Sequence, residues 1–146
     1  MSASPRPAVS TATPGSLRAL AAEWISLWCA PVDWARFDRL HAATFADHSP
    51  AGRPADKAGF AAGLREFVAA FPDLHTTVED TIVEAARRRV VVRWRAEGTN
   101  RGRFLGVGPT GRRTVITGIE ILEVAEGRVV GRWGEWDILD HLAGGA

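Results

Sequence analysis

The sequence predicts an α+β domain, in which helices come first and an antiparallel sheet follows. Two patterns carry this prediction. Up to about residue 70, apolar residues recur at the three- and four-residue spacing of helices, and from Leu74 onward they alternate with polar residues, as in half-buried strands. The length of 146 residues fits a single domain.

The helical spacing predicts three helices, over residues 17–28, 33–40 and 56–70. Ser16 can cap the first helix and Asp56 the third, because both side chains can accept a hydrogen bond from a free backbone N–H of the first turn. Residues 43–54 are predicted to be irregular, since "DHSPAGRP" is rich in turn-forming residues.

The alternating spacing predicts four strands, over residues 74–83, 90–98, 113–124 and 129–136. The arginines at 87–89 lie where the first hairpin turns, and "EGR" at 126–128 forms a tight turn before the last strand. Consecutive strands joined in this way form an antiparallel meander. A short segment, 137–142, follows it.

Composition and charge exclude several classes of protein. With 46% hydrophobic and 24% charged residues, the chain has the balance of a soluble globular domain. A net charge of +1 gives no broad attraction to nucleic acid or to a membrane surface, and no apolar run approaches the ~18–20 residues of a membrane span. The single cysteine excludes an intramolecular disulfide framework and a cysteine-rich zinc site.

The first fifteen residues are rich in Ser, Ala, Thr and Pro and lack the apolar centre of a signal peptide. We predict that residues 1–15 form a disordered tail and that residues 16–146 form the one domain of a cytoplasmic protein. The aromatic set, six Trp and six Phe with no Tyr, indicates bulky apolar surfaces that line a space.

Two motifs that could bind phosphate groups have a structural explanation. "GVGPTG" at 106–111 matches the dinucleotide pattern G-x-G-x-x-G, but a strand follows it where that site needs a helix, so we expect a glycine-rich hairpin loop. The arginine run at 87–89 has no basic stripe beside it and is expected to be a solvated turn.

The histidines form no metal-binding pair at helical or strand spacing, and we expect no metal.

Glu120 is the most informative polar residue, because it interrupts the apolar strand "VITGIEILEV". Burial of a carboxylate raises its pKa and is common at catalytic sites. The structural alternative is a salt bridge to Arg93, Arg95 or Arg132.

Two further polar residues are candidates. His48 lies in a predicted loop, where functional side chains often sit, although a structural role is equally open. Asp137 falls where the last strand ends, and it could instead cap the segment that follows.

Trp24 and Trp28, four residues apart, share one helical face and form either core or the wall of a pocket.

These residues resemble the SnoaL-like polyketide cyclases of the nuclear transport factor two-like superfamily. The resemblance runs from about Ala21 to Leu142. It rests on the order and spacing of five segments: "DHSPAG" at Asp47, "FPDLHTTVED" at Phe71, "VVVRWRAEGTNRG" at Val90, "FLGVGPTGRR" at Phe104 and "GRVVGRWGEWD" at Gly127.

The resemblance implies a cone, in which a strongly curved antiparallel sheet and N-terminal helices close an apolar pocket. It also implies a homodimer packed through the sheet and a hydrophobic, polyketide-derived small molecule as ligand. The best-known members act in secondary metabolism, as in antibiotic biosynthesis, and close a ring by intramolecular aldol condensation without a cofactor. In them a carboxylate moves the proton, and a histidine on a neighbouring strand supports it.

The sequence departs from the family pattern at the catalytic positions. Gly134 takes the place of the catalytic Asp, Glu120 that of the histidine, and Asp137 matches a second acidic residue. Because Gly134 cannot exchange a proton, two hypotheses follow. Either Glu120 is the base, with Asp137 or His48 as its partner, or closure is a pericyclic cycloaddition that mainly needs a folded substrate.

Five aromatic residues are candidate walls of the pocket, although strand alternation keeps some of them outside: Trp24, Trp28, Trp94, Trp133 and Trp136. Arg93 is expected to orient a carbonyl group or to hold Glu120. Other functions stay open, namely a hydroxylase, hydratase or isomerase on the same fold, or a non-catalytic module that binds a small molecule or a protein.

Overall fold

The computed structural model describes residues 13–143, and the predicted α+β class is confirmed there. The helices of this part are α1 (Pro14–Ile25), α2 (Trp34–Leu40), α3 (Lys57–Ala70) and α4 (Leu139–Leu142). Its strands are β1 (His41–Asp47), β2 (His75–Glu84), β3 (Arg89–Thr99), β4 (Arg113–Ala125) and β5 (Arg128–Asp137). None of these helices is long and apolar enough to cross a membrane.

Helix α1 begins inside the segment predicted to be a tail. Its N-cap is Thr13, which forms a capping box with Ser16, and Pro14 occupies the first turn, where its missing N–H costs nothing. Residues 1–12 of the predicted tail lie outside the described residues.

The strands form one curled sheet in the order β1-β5-β4-β3-β2. Neighbours pair antiparallel except β1, which runs parallel to β5. Helix α1 packs on β2 and β3, and α3 packs on β1. The face toward the helices, here the inner face, carries Trp94, Glu120 and Leu122, which are all buried. The opposite, outer face carries Arg93 and Ile119, which are exposed.

Strand β1 corrects the prediction that residues 43–54 are irregular throughout. Its partner β5 lies far along the chain, and its only large apolar residue is the buried Phe45. The short segment therefore lacks the alternation by which a strand is recognised, and its pairing is set by tertiary contacts. The irregular segment starts only after Asp47.

A buried histidine joins helices α1 and α2 to the start of β1. Nε2 of His41 accepts a hydrogen bond from Trp24 Nε1 at 3.0 Å, so the proton of the neutral ring is on Nδ1, which donates to the Phe37 carbonyl at 2.7 Å. Burial is the main cause that lowers the pKa of His41 to about 4. The imidazole is therefore neutral at physiological pH and serves as part of the core.

Candidate active site

A cavity of about 360 Å³ lies between α3 and the inner face of the sheet. Its walls are largely aromatic and come from the segment after α1, from α3, from β3 and β5 and from the loop before β4: Trp28, Phe60, Phe67, Trp94, Phe104 and Trp136. Its polar residues come from the segment after β1 and from β4 and β5: His48, Ser49, Arg53, Glu120 and Arg132. A few polar groups in a mostly apolar concavity is the usual composition of a small-molecule site.

An ion-pair network forms the sheet side of this cavity. Arg132 Nε donates to Glu120 Oε2 at 2.9 Å, and Arg132 Nη2 donates to Glu120 Oε1 at 3.2 Å, so the guanidinium grips the carboxylate with two bonds. Arg132 Nη1 donates to Asp47 Oδ1 at 2.9 Å. The guanidinium also lies over the Phe60 ring of α3, 5.2 Å from its centre. Arg132 is therefore fixed from several sides.

Trp94 on the neighbouring strand β3 holds Glu120, and a glycine within β4 makes room for it. Trp94 Nε1 donates to Glu120 Oε1 at 3.3 Å. A Cβ on Gly118, which pairs with Trp94 in the sheet, would overlap the Trp94 ring. The glycine therefore lets the indole lie flat across β4 and point its N–H toward Glu120.

Gly134, which the resemblance aligns with a catalytic Asp, lies directly beside the Glu120 carboxylate. This residue pairs with Glu120 in the sheet, and a Cβ there would overlap both Glu120 Oε2 and Arg132 Nη2. Its N–H donates to Ser49 Oγ at 3.0 Å. The missing side chain is thus a condition for the Glu120–Arg132 pair.

Glu120 keeps a capacity for proton exchange in this setting. Oε1 accepts two hydrogen bonds and Oε2 only one, so Oε2 has an acceptor position left. Burial raises the pKa of Glu120 above its ordinary value, and the nearby Asp47 charge adds to the rise, while Arg132 and the Trp94 N–H oppose it. A carboxylate with a raised pKa can both take and return a proton nearer neutral pH.

The structure brings together part of the predicted site. Glu120, His48, Trp28, Trp94 and Trp136 all line the cavity. His48 is exposed, and its ring stacks on Trp133 with 4.3 Å between the ring centres, which places the imidazole on the outer side of the sheet. The side chains of His48 and Glu120 are not hydrogen-bonded to each other.

The remaining predicted residues lie elsewhere. Trp24 is in the core, 1% exposed, because its face of α1 meets His41. Arg93, Trp133 and Asp137 are on the outer face, since they alternate with inner residues along their strands. The arginine that holds Glu120 is therefore Arg132, and Arg93 does not line the cavity.

Several site residues carried little signal in the sequence. Asp47, Ser49 and Arg53 belong to a segment that reads as turn material, and only the fold brings it onto β5. The two inner glycines, Gly118 and Gly134, could have been a signal, because glycine inside a strand often marks a close approach. Over residues 13–143 no group of three His, Cys, Asp or Glu side chains is placed to hold a metal ion.

The sequence profile of the SnoaL-like polyketide cyclase family matches residues 19–143. No curated protein matches the chain in sequence. Among solved structures, TsrD from Streptomyces laurentii shares the fold with a TM-score of 0.78 and 23% identity, over 88% of this chain and 92% of its own.

Two similar structures come from other Streptomyces species. AclR from Streptomyces galilaeus, described as a candidate hydroxylase, is 25% identical with a TM-score of 0.78, over 92% of this chain and 99% of its own. IdmH from Streptomyces antibioticus, described as a candidate polyketide cyclase, is 29% identical with a TM-score of 0.75, over 87% of this chain and 96% of its own. Because the family profile spans nearly all described residues, the chain belongs to the SnoaL-like polyketide cyclase family.

Proposed function

We propose that this protein closes a ring in a hydrophobic, polyketide-derived intermediate, and that Glu120 moves the proton. The observation that carries the proposal is the position of Glu120: its carboxylate lines an aromatic cavity, is held by Arg132 and Trp94, and keeps one acceptor position on Oε2. The family and the likeness to IdmH support the reaction class.

A single carboxylate can carry out both proton transfers of an aldol closure, because the proton that it removes from carbon is the one that it later returns to oxygen. Glu120 takes a proton from a carbon between two carbonyl groups, and the resulting carbanion attacks a second carbonyl carbon of the same molecule. As the carbon–carbon bond forms, the C=O electron pair moves to oxygen, which then takes the proton back from Glu120. The enzyme ends unchanged and no external oxidant is consumed, in keeping with a cofactor-independent reaction. Arg132 stabilises the carboxylate whenever it is ionised.

The test compares wild type with Glu120→Gln on a linear triketone in which one carbon lies between two carbonyl groups and the third carbonyl is attacked, so that aldol addition gives a six-membered hydroxyketone ring. We expect kcat to fall by about 100-fold or more, as for loss of a general base. Glu123→Gln is the matched control, because Glu123 is on the same strand but pairs with Arg89 outside the cavity. Equal turnover by wild type and Glu120→Gln would refute the acid–base role.

The aromatic walls favour a second reaction, pericyclic closure of a folded polyene. Trp28, Phe67 and Trp136 give flat apolar surfaces to the wall of the cavity, which suits holding a substrate in its reacting geometry. In this case Glu120→Gln would leave polyene cyclisation nearly unchanged, whereas Trp136→Ala would slow it. Measuring both variants on both substrate classes separates the two reactions.

The proposal does not use His48 as a partner of Glu120, because the His48 ring stacks on Trp133, on the outer side of the sheet. The proposal leaves out Asp137 and Arg93, because both face away from Glu120 on the outer side of the sheet. We therefore expect His48→Gln to leave kcat nearly unchanged, and a clear fall in kcat would contradict this exclusion.

We also propose a homodimer that packs through the outer face. Register aligns four apolar residues across neighbouring strands, Ile82, Val91, Ile121 and Trp133. Ile82 is 60% exposed and the nearby Ile119 is 49% exposed. Contact of these side chains with water is unfavourable, and burial against a second copy would remove it. Light scattering is expected to give a dimer mass that Ile119→Glu converts to a monomer mass, and a monomer mass for wild type would contradict the proposal.

A further inference from the structure

The cavity contains a second arginine that differs from Arg132 in its surroundings. Arg53 follows β1 and lies against α3, on the opposite side of the cavity from the strand that carries Glu120. A Cβ on Gly63 would come within 2.7 Å of Arg53 Cζ and 3.0 Å of Nη2. The glycine thus gives the guanidinium room to lie flat on the helix.

Within the described residues, the Arg53 side chain has no ion pair, and its Nε is buried without a hydrogen-bond partner. By contrast, Arg132 makes four side-chain hydrogen bonds, to Glu120, to Asp47 and to the Ser49 carbonyl. The Nε lies against Gly63 of α3, so the feature that matters for binding is the guanidinium as a whole. An arginine without a counter-ion at the wall of a largely apolar cavity can pair with an anionic group of a ligand.

We propose that Arg53 binds a carboxylate of the substrate. A guanidinium presents its N–H groups as a planar fork that matches the two oxygens of a carboxylate. This proposal rests on the function proposed above and narrows its substrate class to intermediates that carry a free acid, anchored at α3 while the reacting carbons lie over Glu120. A neutral ester, amide or thioester cannot form the charged pair and binds more weakly.

The test is calorimetric binding of a matched ligand pair, naphthalene-carboxylate and naphthalene-carboxamide, which have the same size and differ in charge. At about pH 7 the acid is ionised. We expect wild type to bind the carboxylate about ten-fold or more tightly than the amide, as for a charge-assisted hydrogen bond in a partly buried site. We expect Arg53→Gln to remove this preference without changing amide affinity, and Arg53→Lys to keep part of it.

Arg128→Gln is the control, because it removes the same charge from an exposed position at the start of β5. Thermal unfolding verifies that each variant is folded. Equal affinity of wild type for both ligands, or a preference that survives in Arg53→Gln, overturns the proposal and leaves the cavity and its proposed function standing. Failure of wild type to bind either ligand contradicts both.

Discussion

Acid should weaken the fold through one buried residue, His41. Its ring is enclosed by Phe37, Phe45 and Phe60, and both of its nitrogens are used by the neutral tautomer. Protonation would place a second N–H against the Trp24 N–H, which is itself a donor. Protonation of His41 is therefore less favourable in the folded protein than in the unfolded chain.

The magnitude follows from the two pKa values. The imidazole has an ordinary value of 6.5 and a folded-state value of about 4, and a gap of this size corresponds to about 3 kcal/mol. Between the two values the unfolded chain binds more protons than the folded one, so acid favours unfolding. The contribution is fully present above about pH 6.5 and most of it is lost by about pH 4.5.

The assay is chemical denaturation of wild type and His41→Gln at several pH values, because other titrating groups cancel when the two free energies of unfolding are subtracted. We expect the advantage of wild type to shrink by about 2–3 kcal/mol between about pH 7 and 4.5. His75→Gln is the control, because His75 is exposed on β2. A difference between wild type and His41→Gln that is the same at both pH values would refute the account of the buried tautomer.

Three substitutions test the network around Glu120. Gly134→Ala puts a methyl group where Glu120 Oε2 and Arg132 Nη2 lie, and is expected to lower kcat/KM at least ten-fold and the free energy of unfolding by about 1–3 kcal/mol. Trp94→Phe removes a donor to the ionised carboxylate, so it should move the midpoint of the pH–rate profile upward. Asp47→Asn removes a neighbouring negative charge and should move the same midpoint downward. Shifts in the same direction would contradict the assigned interactions.

The sequence was sufficient for most of the fold because its signals are local. The predicted strand over 113–124 lies within β4, and the predicted helix over 56–70 matches α3 closely. Strand β1 could not be recognised, because its pairing with β5 joins segments that are distant along the chain. A short segment with one large apolar residue carries too little pattern to show such a contact.

For the site, the sequence indicated which polar residues are unusual for their surroundings, but it did not indicate which side chains contact each other in the fold. The apolar pattern around Glu120 predicted its burial, and the structure places it 5% exposed. Its partner depended on the register between β4 and β5, which sets Gly134 opposite Glu120 and turns Asp137 outward. The positions of Arg53 and Asp47 in the site depend on the path of the chain at the end of β1 and through the irregular segment after it. Register and loop path are tertiary properties, so neither could be obtained from local spacing.

The most direct test of the central claim is the pH dependence of kcat/KM for aldol closure of the linear triketone. If Glu120 is the base, the rate rises with pH through a midpoint above the ordinary pKa of 4.5, because burial raises the pKa of this carboxyl and only its ionised form accepts the proton. Glu120→Gln should remove the rise, with circular dichroism showing that the protein stays folded over the same range. A profile that is flat, or that is the same in wild type and Glu120→Gln, would contradict the claim.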